Sequence, residues 1–184
     1  MSDSFSFIIR DGHKSDLPAC LELDCHYETQ YVWRMSFQPD SGERCVTFNT
    51  ERLPRDMAVE YPISEWRLRL ALPATQCFLV AVGRDDPRTL GFLTMRQDFT
   101  HRIALVQDVV VSRPFRRRRI GTRLLRVARQ WAQERNLNQF MVETQTKNYP
   151  GIQFCQRAGL VFCGFNDQYF DNQDIAVFFG QPLR

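Results

Sequence analysis

The order of hydrophobic patterns between residues 77 and 135 constrains the fold of this chain more than any other feature. Three strand-like runs, 77–83, 90–99 and 103–112, are joined by short turn sequences, which predicts an antiparallel meander. A helix is predicted over 119–135, because its apolar residues recur along one stripe. The residues of this stripe are Ile120, Leu124, Leu125, Val127, Ala128, Trp131 and Ala132. The chain therefore combines strands and helices in one core.

After this helix the patterns continue to alternate. A short hydrophobic strand is predicted over 140–145, and a helix over 148–158 that Gly159 closes. Two final strands are predicted over 160–165 and 175–180. The predicted order from the meander onward is three strands, helix, strand, helix and two strands.

The N-terminal part carries weaker signals. Alternation predicts a strand over residues 5–10, and the Ser-Asp pair before Pro18 predicts the start of a helix. We interpret residues 26–35 as one or two short helices and expect a strand around 45–49. The sequence does not decide between strand and helix for residues 63–72. Their period-two apolar positions favour a strand, while their Ser-Glu start and their length favour a helix.

The length and the charge distribution limit the class of protein. A chain of 184 residues with 43% hydrophobic content is expected to form a single domain over residues 1–184. Residues 101–135 hold ten arginines and two acidic residues, whereas the remainder holds fourteen basic and nineteen acidic residues. A protein that coats nucleic acid usually spreads its basic residues over a face or a tail, whereas this chain concentrates them around one predicted turn and helix. We therefore expect no nucleic-acid partner.

The cysteines and the N-terminus predict a cytoplasmic protein with reduced thiols. The six cysteines form no Cys-x-x-Cys pair, and the nearest approach to a metal site, Cys20, Cys25 and His26, lacks structural zinc spacing. We therefore expect no metal. The N-terminus is too short and too polar for a secretory signal, and no apolar run is long enough for a membrane span.

Four consecutive arginines stand at the predicted turn between strand and helix. A helix start presents free backbone N–H groups and the positive end of the helix dipole, so it suits an anion. Here Arg116–Arg119 add positive charge, Gly121 lets a ligand approach the backbone, and Thr122 adds a hydroxyl donor. A phosphate ester would fit. The arginines could instead form a solvated face, or a nucleic-acid or localisation patch.

The same residues resemble the acetyl-CoA signature of the GNAT superfamily of N-acetyltransferases. The three valines of 109–111 are followed by Phe-Arg-Arg-Arg-Arg-Ile-Gly-Thr, in which Arg116 and Gly121 match the ends of the family's Gln/Arg-x-x-Gly-x-Gly/Ala turn. Arg119 replaces the usual middle glycine, which implies a negative φ there or a turn wrapped less tightly around the pyrophosphate. The Asn-x-x-Gly-Ile-x-Phe-Cys-x-x-Ala-Gly run of 148–159 is similar to the family's second helix.

The resemblance covers about residues 77–180 and implies the GNAT fold. This is an α+β fold with a mixed, mostly antiparallel sheet, helices on its faces and splayed central strands. Within the superfamily, the Gln-Asp-Val-Val-Val run, Glu143-Thr-Gln, Asn148 and the closing 174–179 segment resemble streptothricin-type acetyltransferases. The sequence does not identify the amine acceptor.

The resemblance implies direct acetyl transfer from acetyl-CoA, as a co-substrate, to an amine. A backbone N–H on the bulged strand would hold the oxyanion, while pantetheine pairs with that strand's edge. The cofactor-binding residues implied are Val109, Val110, Val111, Arg116, Arg117, Arg118, Arg119, Ile120, Gly121, Thr122 and Asn148. An ammonium must lose a proton before it attacks, so a carboxylate base is expected, with Glu143 as the first candidate and Asp108 as the second.

The leaving thiolate needs a proton, and the family commonly places a Tyr in the second helix for this step. Position 155 is Cys, which could donate the proton itself. Alternatively, Cys155 is a buried hydrophobic residue, and Tyr149 or Tyr169 supplies the hydroxyl.

Acidic residues outside the basic segment suggest a cationic acceptor. In the fold implied, two regions flank the acceptor cleft and contain Glu22, Asp24, Glu28, Asp167, Asp171 and Asp174. Such a cleft would favour a polyamine, an aminoglycoside-like compound or a lysine side chain. The aromatic residues Tyr27, Tyr31, Trp33 and Phe37 line this cleft or belong to the core. A non-catalytic acyl-CoA-binding module and a protein acetyltransferase are the alternatives, and the final strand 175–180 could pair two chains as a homodimer.

Overall fold

The computed structural model describes residues 6–38 and 45–183. The strands are β1 (Phe7–Asp11), β2 (Tyr27–Gln38), β3 (Cys45–Val59), β4 (Cys77–Gly83), β5 (Thr89–Asp98), β6 (Ile103–Val111), β7 (Gln139–Gln145), β8 (Val161–Asn166) and β9 (Ala176–Pro182). Seven of them form one sheet in the order β1-β4-β5-β6-β7-β9-β8, and β2 and β3 form a separate two-stranded sheet. The helices are α1 (Leu17–Leu21), α2 (Glu65–Leu70), α3 (Ile120–Glu134) and α4 (Tyr149–Arg157).

Strand β4 shows how the core is divided between the two faces of the sheet. All seven of its residues are buried, because helices cover both faces. Leu79 and Ala81 belong to the larger hydrophobic cluster, which includes the apolar stripe of α3. Val80 and Val82 alternate with them and join a second cluster with α1 and α2. The meander predicted from residue 77 onward and the amphipathic helix after it are both confirmed.

The centre of the sheet is split between β6 and β7. These parallel strands pair only from Ile103 with Gln139 to Val106 with Val142. The register of β6 against β5 shifts at the next residue, Gln107, which forms a bulge. Beyond this point β6 continues with β5 while β7 continues with β9, so the two strands separate. This confirms the expected mixed, mostly antiparallel sheet with splayed central strands.

The helices expected over residues 26–35 are wrong, because this segment lies in β2. Strand β2 pairs with β3 in a long antiparallel hairpin. The aromatic residues at positions 27, 31, 33 and 37 are separated by four, two and four residues. Even separations are typical of one face of a regular strand, whereas only the steps of four also fit a helix. The pairing of β2 with β3 is irregular between Thr29 and Tyr31. Strand β3 contains the expected strand at 45–49 but extends to Val59.

Four further observations complete the description of the fold. Residues 63–72 contain a helix, α2, whose N-cap Ser64 accepts a hydrogen bond from the backbone N–H of Arg67 at 3.1 Å. The first strand lies at Phe7–Asp11, and residues 1–5 lie outside the described part of the chain. Strand β9 lies between β7 and β8, so the expectation that 175–180 could pair two chains is wrong. No helix among the described residues combines the length and apolarity needed to span a membrane.

Candidate functional site

The separation of β6 and β7 places two cavities side by side. The smaller has a volume of about 330 Å³ and the larger of about 720 Å³. The residues that line both are Tyr61, Val109, Asn148, Gly151 and Phe154. Because these side chains form a common wall, molecules bound in the two cavities would lie next to each other.

The basic turn borders the larger cavity. Helix α3 begins at Ile120, and its first intrahelical bond runs from the N–H of Arg123 to the carbonyl of Arg119 at 3.0 Å. The N–H groups of Ile120, Gly121 and Thr122 therefore precede the helical hydrogen bonds. These three residues line the cavity, so the helix start can bind an anion there.

The arginines of this turn have different environments. Arg116, Arg117 and Arg119 line the larger cavity, and the Nε atom of Arg116 donates to the carbonyl of Val111 at 2.9 Å. Arg118 is outside the cavity wall, with its guanidinium carbon 5.9 Å from the centre of the Phe115 ring. The structure thus brings three of the four arginines to the cavity.

Arg119 adopts a left-handed backbone conformation with φ of 63°, as does Arg117. Of the two alternatives for Arg119, the negative φ is therefore wrong. A left-handed conformation is strained for a residue with a Cβ atom, which explains why a glycine is usual at this position of the turn. Arg119 thus holds a backbone conformation that glycine adopts without strain.

Gly121 lies in close contact with α4. A Cβ atom built on Gly121 would lie 3.2 Å from the Phe154 ring and 3.6 Å from Val111. The missing side chain thus lets the start of α3 pack closely against α4. Asn148 fixes the start of α4, where its side chain accepts a hydrogen bond from the N–H of Gly151 at 2.9 Å.

Two buried carboxylates lie where β6 and β7 separate. Glu143 follows Val142, the last residue of β7 that pairs with β6, and Asp108 follows the bulge in β6. Only 7% of Glu143 and 4% of Asp108 is exposed. Glu143 lines the smaller cavity. The structure thus brings both candidate bases together at the point where β6 and β7 separate.

The environment of Glu143 favours its protonated form. Burial raises the pKa of Glu143 from 4.5 to about 7, and the nearby charge of Asp108 acts in the same direction. The hydroxyl of Tyr169, which donates to Oε2 of Glu143 at 2.6 Å, and the charge of Arg67 limit this rise. A carboxyl group with a pKa near 7 can accept a proton from an amine at neutral pH and release it again.

Asp108 is held by three donors from other parts of the chain. The hydroxyl of Tyr61 donates to its Oδ1 atom at 2.7 Å, and the hydroxyl of Thr94 donates to Oδ2 at 2.5 Å. A guanidinium nitrogen of Arg67 lies 3.1 Å from Oδ1 of Asp108 and 3.7 Å from Oε1 of Glu143. Arg67 therefore bridges the two carboxylates. Sequence reasoning missed Tyr61, Arg67 and Thr94, because only the fold brings them to Asp108.

The candidate proton donors occupy three different positions. Cys155 is buried in α4, where burial raises the pKa of its thiol to about 12. The hydroxyl proton of Tyr169 is directed to Glu143. Tyr149 lines the larger cavity, and its hydroxyl oxygen accepts a hydrogen bond from Gln153 at 3.0 Å. Among the described residues no acceptor takes the hydroxyl proton of Tyr149, so this proton can be donated to a ligand.

The acidic residues expected around the acceptor cleft are dispersed. Asp171 lines the smaller cavity, and Glu28 lines the larger one, where it forms an ion pair with Arg113 at 3.0 Å. Asp174 is buried and forms an ion pair with Lys147. Neither cavity is lined by Glu22, Asp24 or Asp167. Of the four aromatic residues, Tyr27 lines the larger cavity, and the others lie outside both walls.

A family model of the acetyltransferase (GNAT) family matches residues 43–160, which is more than half of the chain. The chain belongs to the GNAT family. The resemblance of its turn and second helix to that family is thereby confirmed. The family's turn corresponds to the arginine segment at the start of α3, and its second helix corresponds to α4.

Relatives of known function are streptothricin acetyltransferases. The chain is 29% identical over 79 residues to streptothricin acetyltransferase A of Bacillus subtilis strain 168, and 30% identical over 91 residues to that of Streptomyces lavendulae. These alignments cover 41% and 50% of this chain. They cover 46% and 48% of the relatives, so this GNAT chain aligns with about half the length of each.

Two solved structures share the GNAT fold over nearly the whole chain. Nourseothricin acetyltransferase superposes with a TM-score of 0.83 at 21% identity, covering 97% of this chain and 99% of its own. A Bacillus anthracis strain Ames protein described as a candidate streptothricin acetyltransferase was solved in complex with acetyl coenzyme A. It superposes with a TM-score of 0.77 at 22% identity, covering 96% and 99% of the two chains. The likeness confirms the fold predicted from the sequence.

Proposed function

We propose that this chain is an acetyl-CoA-dependent N-acetyltransferase that transfers an acetyl group directly to a primary amine of a small cationic acceptor. The observation that carries this proposal is the common wall of the two cavities. An anion-binding helix start borders one cavity, and a buried carboxylate with a pKa near 7 borders the other. Direct transfer needs such an arrangement, because thioester and amine must meet without a covalent enzyme intermediate.

The larger cavity is the proposed site of acetyl-CoA. The pyrophosphate of acetyl-CoA accepts hydrogen bonds from the N–H groups of Ile120, Gly121 and Thr122, and Arg116 and Arg119 supply positive charge. The pantetheine arm pairs with the edge of β6 over 109–111, which β7 leaves unpaired. A backbone N–H of this edge holds the oxyanion of the tetrahedral intermediate.

Glu143 is the proposed general base. It lines the smaller cavity, and Tyr169 and Arg67 limit the rise of its pKa, so that part of the carboxyl population is charged and can accept a proton at neutral pH. Asp108 is less suited to this role, because Tyr61, Arg67 and Thr94 already occupy its two oxygen atoms. Asp108 instead positions Arg67 next to Glu143.

Tyr149 is the proposed donor of a proton to the departing CoA thiolate. It lines the cavity assigned to the cofactor, and its own hydroxyl proton is available. The raised pKa of Cys155 makes its thiol a poor acid, and the Tyr169 proton is held by Glu143. Cys155 is therefore assigned to the wall beside Phe154.

The acceptor is proposed to resemble the streptothricin class of antibiotics in size and charge. The names of the relatives and structural neighbours support this class. The volume of the smaller cavity, about 330 Å³, suits a small amine, and Glu143 and Asp171 supply negative charge. Arg67, on the same wall, offers hydrogen bonds to carbonyl groups of the acceptor.

The test is to measure acceptor-dependent CoA release from acetyl-CoA with streptothricin, aminoglycosides, polyamines and a lysine peptide. We expect turnover with streptothricin-type amines, and loss of turnover in Glu143→Gln. Asp167→Asn removes a carboxylate outside both cavities and serves as the control. Binding of CoA without turnover for any amine would favour the acyl-CoA-binding module. Turnover only with the peptide would favour a protein acetyltransferase.

A further inference from the structure

Arg157 lies on the wall that α4 contributes to the larger cavity. A guanidinium nitrogen of Arg157 donates to the side-chain oxygen of Gln153 at 3.0 Å, and Gln153 in turn donates to the hydroxyl of Tyr149. All three residues line the cavity and are spaced four residues apart along one face of α4. This row of hydrogen bonds orients Arg157 along the wall.

Within the described part of the chain, no neighbouring group neutralises the charge of Arg157. Among the described residues, no carboxylate forms an ion pair with Arg157. Glu28, the one acidic residue on this cavity wall within the described chain, is paired with Arg113. The wall therefore offers two separate cationic regions, the turn before α3 and the end of α4. One of the five N–H donors of Arg157 contacts Gln153, and the others are available to a ligand.

The second cationic region lies close to the first. The ring of Phe154 packs against Gly121 at the start of α3, as the close approach of a built Cβ atom shows. Arg157 follows three residues later, which corresponds to about 4.5 Å along the axis of α4. The distance between Arg157 and an anion bound to the N–H groups of the turn is therefore one that a single sugar ring can span.

We propose that Arg157 binds the 3′-phosphate of the cofactor's ribose and selects acyl-CoA over acyl carriers that lack this phosphate. This inference rests on the proposed binding of acetyl-CoA to the larger cavity. The ribose of CoA carries the pyrophosphate on its 5′ carbon and a phosphate on its 3′ carbon, so one sugar ring separates the two anions. A guanidinium can bind the oxygens of a phosphate monoester through two parallel N–H donors.

The test compares the binding of CoA and 3′-dephospho-CoA by calorimetry, without an acceptor, at an ionic strength of about 0.15 M. We expect wild-type protein to bind CoA roughly tenfold more tightly than 3′-dephospho-CoA, the size of one charged hydrogen-bonded contact. Arg157→Gln should abolish this preference and leave the affinity for 3′-dephospho-CoA unchanged. Arg126→Gln removes the same charge from an exposed position of α3 outside the cavity, so it should keep the preference.

Equal affinity of the wild type for the two ligands, or equal weakening of both in Arg157→Gln, would overturn the inference. Binding of neither ligand would overturn it together with the proposed function. A clear preference for CoA in a protein that acetylates no amine would leave the role of Arg157 intact and refute the proposed transfer reaction.

Discussion

Glu143 shows how a single residue acquires chemistry that its sequence position does not specify. Its side chain is a carboxyl like any other, but β7 buries it beside Asp108, and this environment raises its pKa to about 7. If Glu143 is the general base, the rate should follow its ionisation. We expect kcat/KM to rise with pH through an apparent pKa near 7, because the charged carboxylate is the reactive form.

The matching variant is Glu143→Gln, which keeps the shape of the side chain and cannot accept the proton. We expect kcat to fall by about 10²–10⁴-fold and the limb near pH 7 to disappear. Glu134→Gln, at an exposed position of α3, should leave the profile unchanged. A Glu143→Gln enzyme that keeps the wild-type pH profile would assign the base to another group.

Arg119 carries a strained backbone that a single substitution can relieve. Its φ of 63° costs a residue with a Cβ atom about 1–2 kcal/mol, and glycine adopts this conformation without that cost. We therefore expect Arg119→Gly to raise the free energy of unfolding by about 1 kcal/mol in urea titration. Arg126→Gly, in the interior of the same helix, should lower it by about 1 kcal/mol. Equal losses in the two variants would mean that the turn is not strained.

The sequence revealed some site residues and hid others for physical reasons. Glu143 and the turn before α3 stand beside local patterns, a hydrophobic strand and an amphipathic helix. Arg67 and Tyr61 lie 41 and 47 positions from Asp108 along the chain and follow no such pattern. Their contacts exist only because α2 and the segment before it pack beside β6, which no local signal specifies.

At the scale of elements, the N-terminal hairpin was the part that the sequence predicted poorly. The strands from β4 onward are hydrophobic runs bounded by turns, and α3 has an unambiguous stripe. In β2 the aromatic residues stand at even separations, two of which also fit a helix. The partner strand β3 decides between the two structures, because it supplies the hydrogen bonds that β2 needs.

The hairpin is attached to the main sheet through aromatic rings around Trp33. The ring centre of Trp33 lies 5.9 Å from Phe48 in β3, 5.8 Å from Phe162 in β8 and 5.7 Å from Phe179 in β9. We expect Trp33→Ala to lower the free energy of unfolding by about 3 kcal/mol, because these contacts are lost together. Trp66→Ala, at a side chain that is 70% exposed, should change it by less than about 0.5 kcal/mol. If chemical denaturation shows that Trp33→Ala lowers the free energy of unfolding no more than Trp66→Ala does, the hairpin does not depend on Trp33.

At the scale of the whole molecule, the buried Glu143 couples folding to pH. Its carboxyl group holds a proton more readily in the folded chain, where its pKa is about 7, than at its ordinary value of 4.5. Its contribution to stability therefore falls as the pH rises from about 4.5 to about 7, and stays constant above. Relative to the Glu143→Gln variant, wild-type protein should lose up to about 3 kcal/mol across this range. Urea unfolding of both proteins at pH 5 and pH 8 measures the change, and a constant difference would refute it.

The basic residues show what composition does and does not specify for the molecule. The concentration of arginines in residues 101–135 predicted one anion-binding site, and the structure places three of them, Arg116, Arg117 and Arg119, at one cavity. The acidic residues were predicted to gather at the other substrate, but most of them pair with cations or face solvent elsewhere. The arginines are neighbours in the sequence, so their position at one helix start could be predicted. The acidic residues come from two segments far apart in the sequence, so only the tertiary fold determines where they lie.

The five residues shared by the two cavities make each substrate part of the other's surroundings. A thioester seated against Val109 and Phe154 would complete the enclosure into which the amine enters. Each ligand should then increase the affinity of the protein for the other by the same factor, since the coupling between two binding equilibria is reciprocal. The affinity of an acceptor analogue that binds but is not acetylated, measured with and without the thioester, would give this coupling directly.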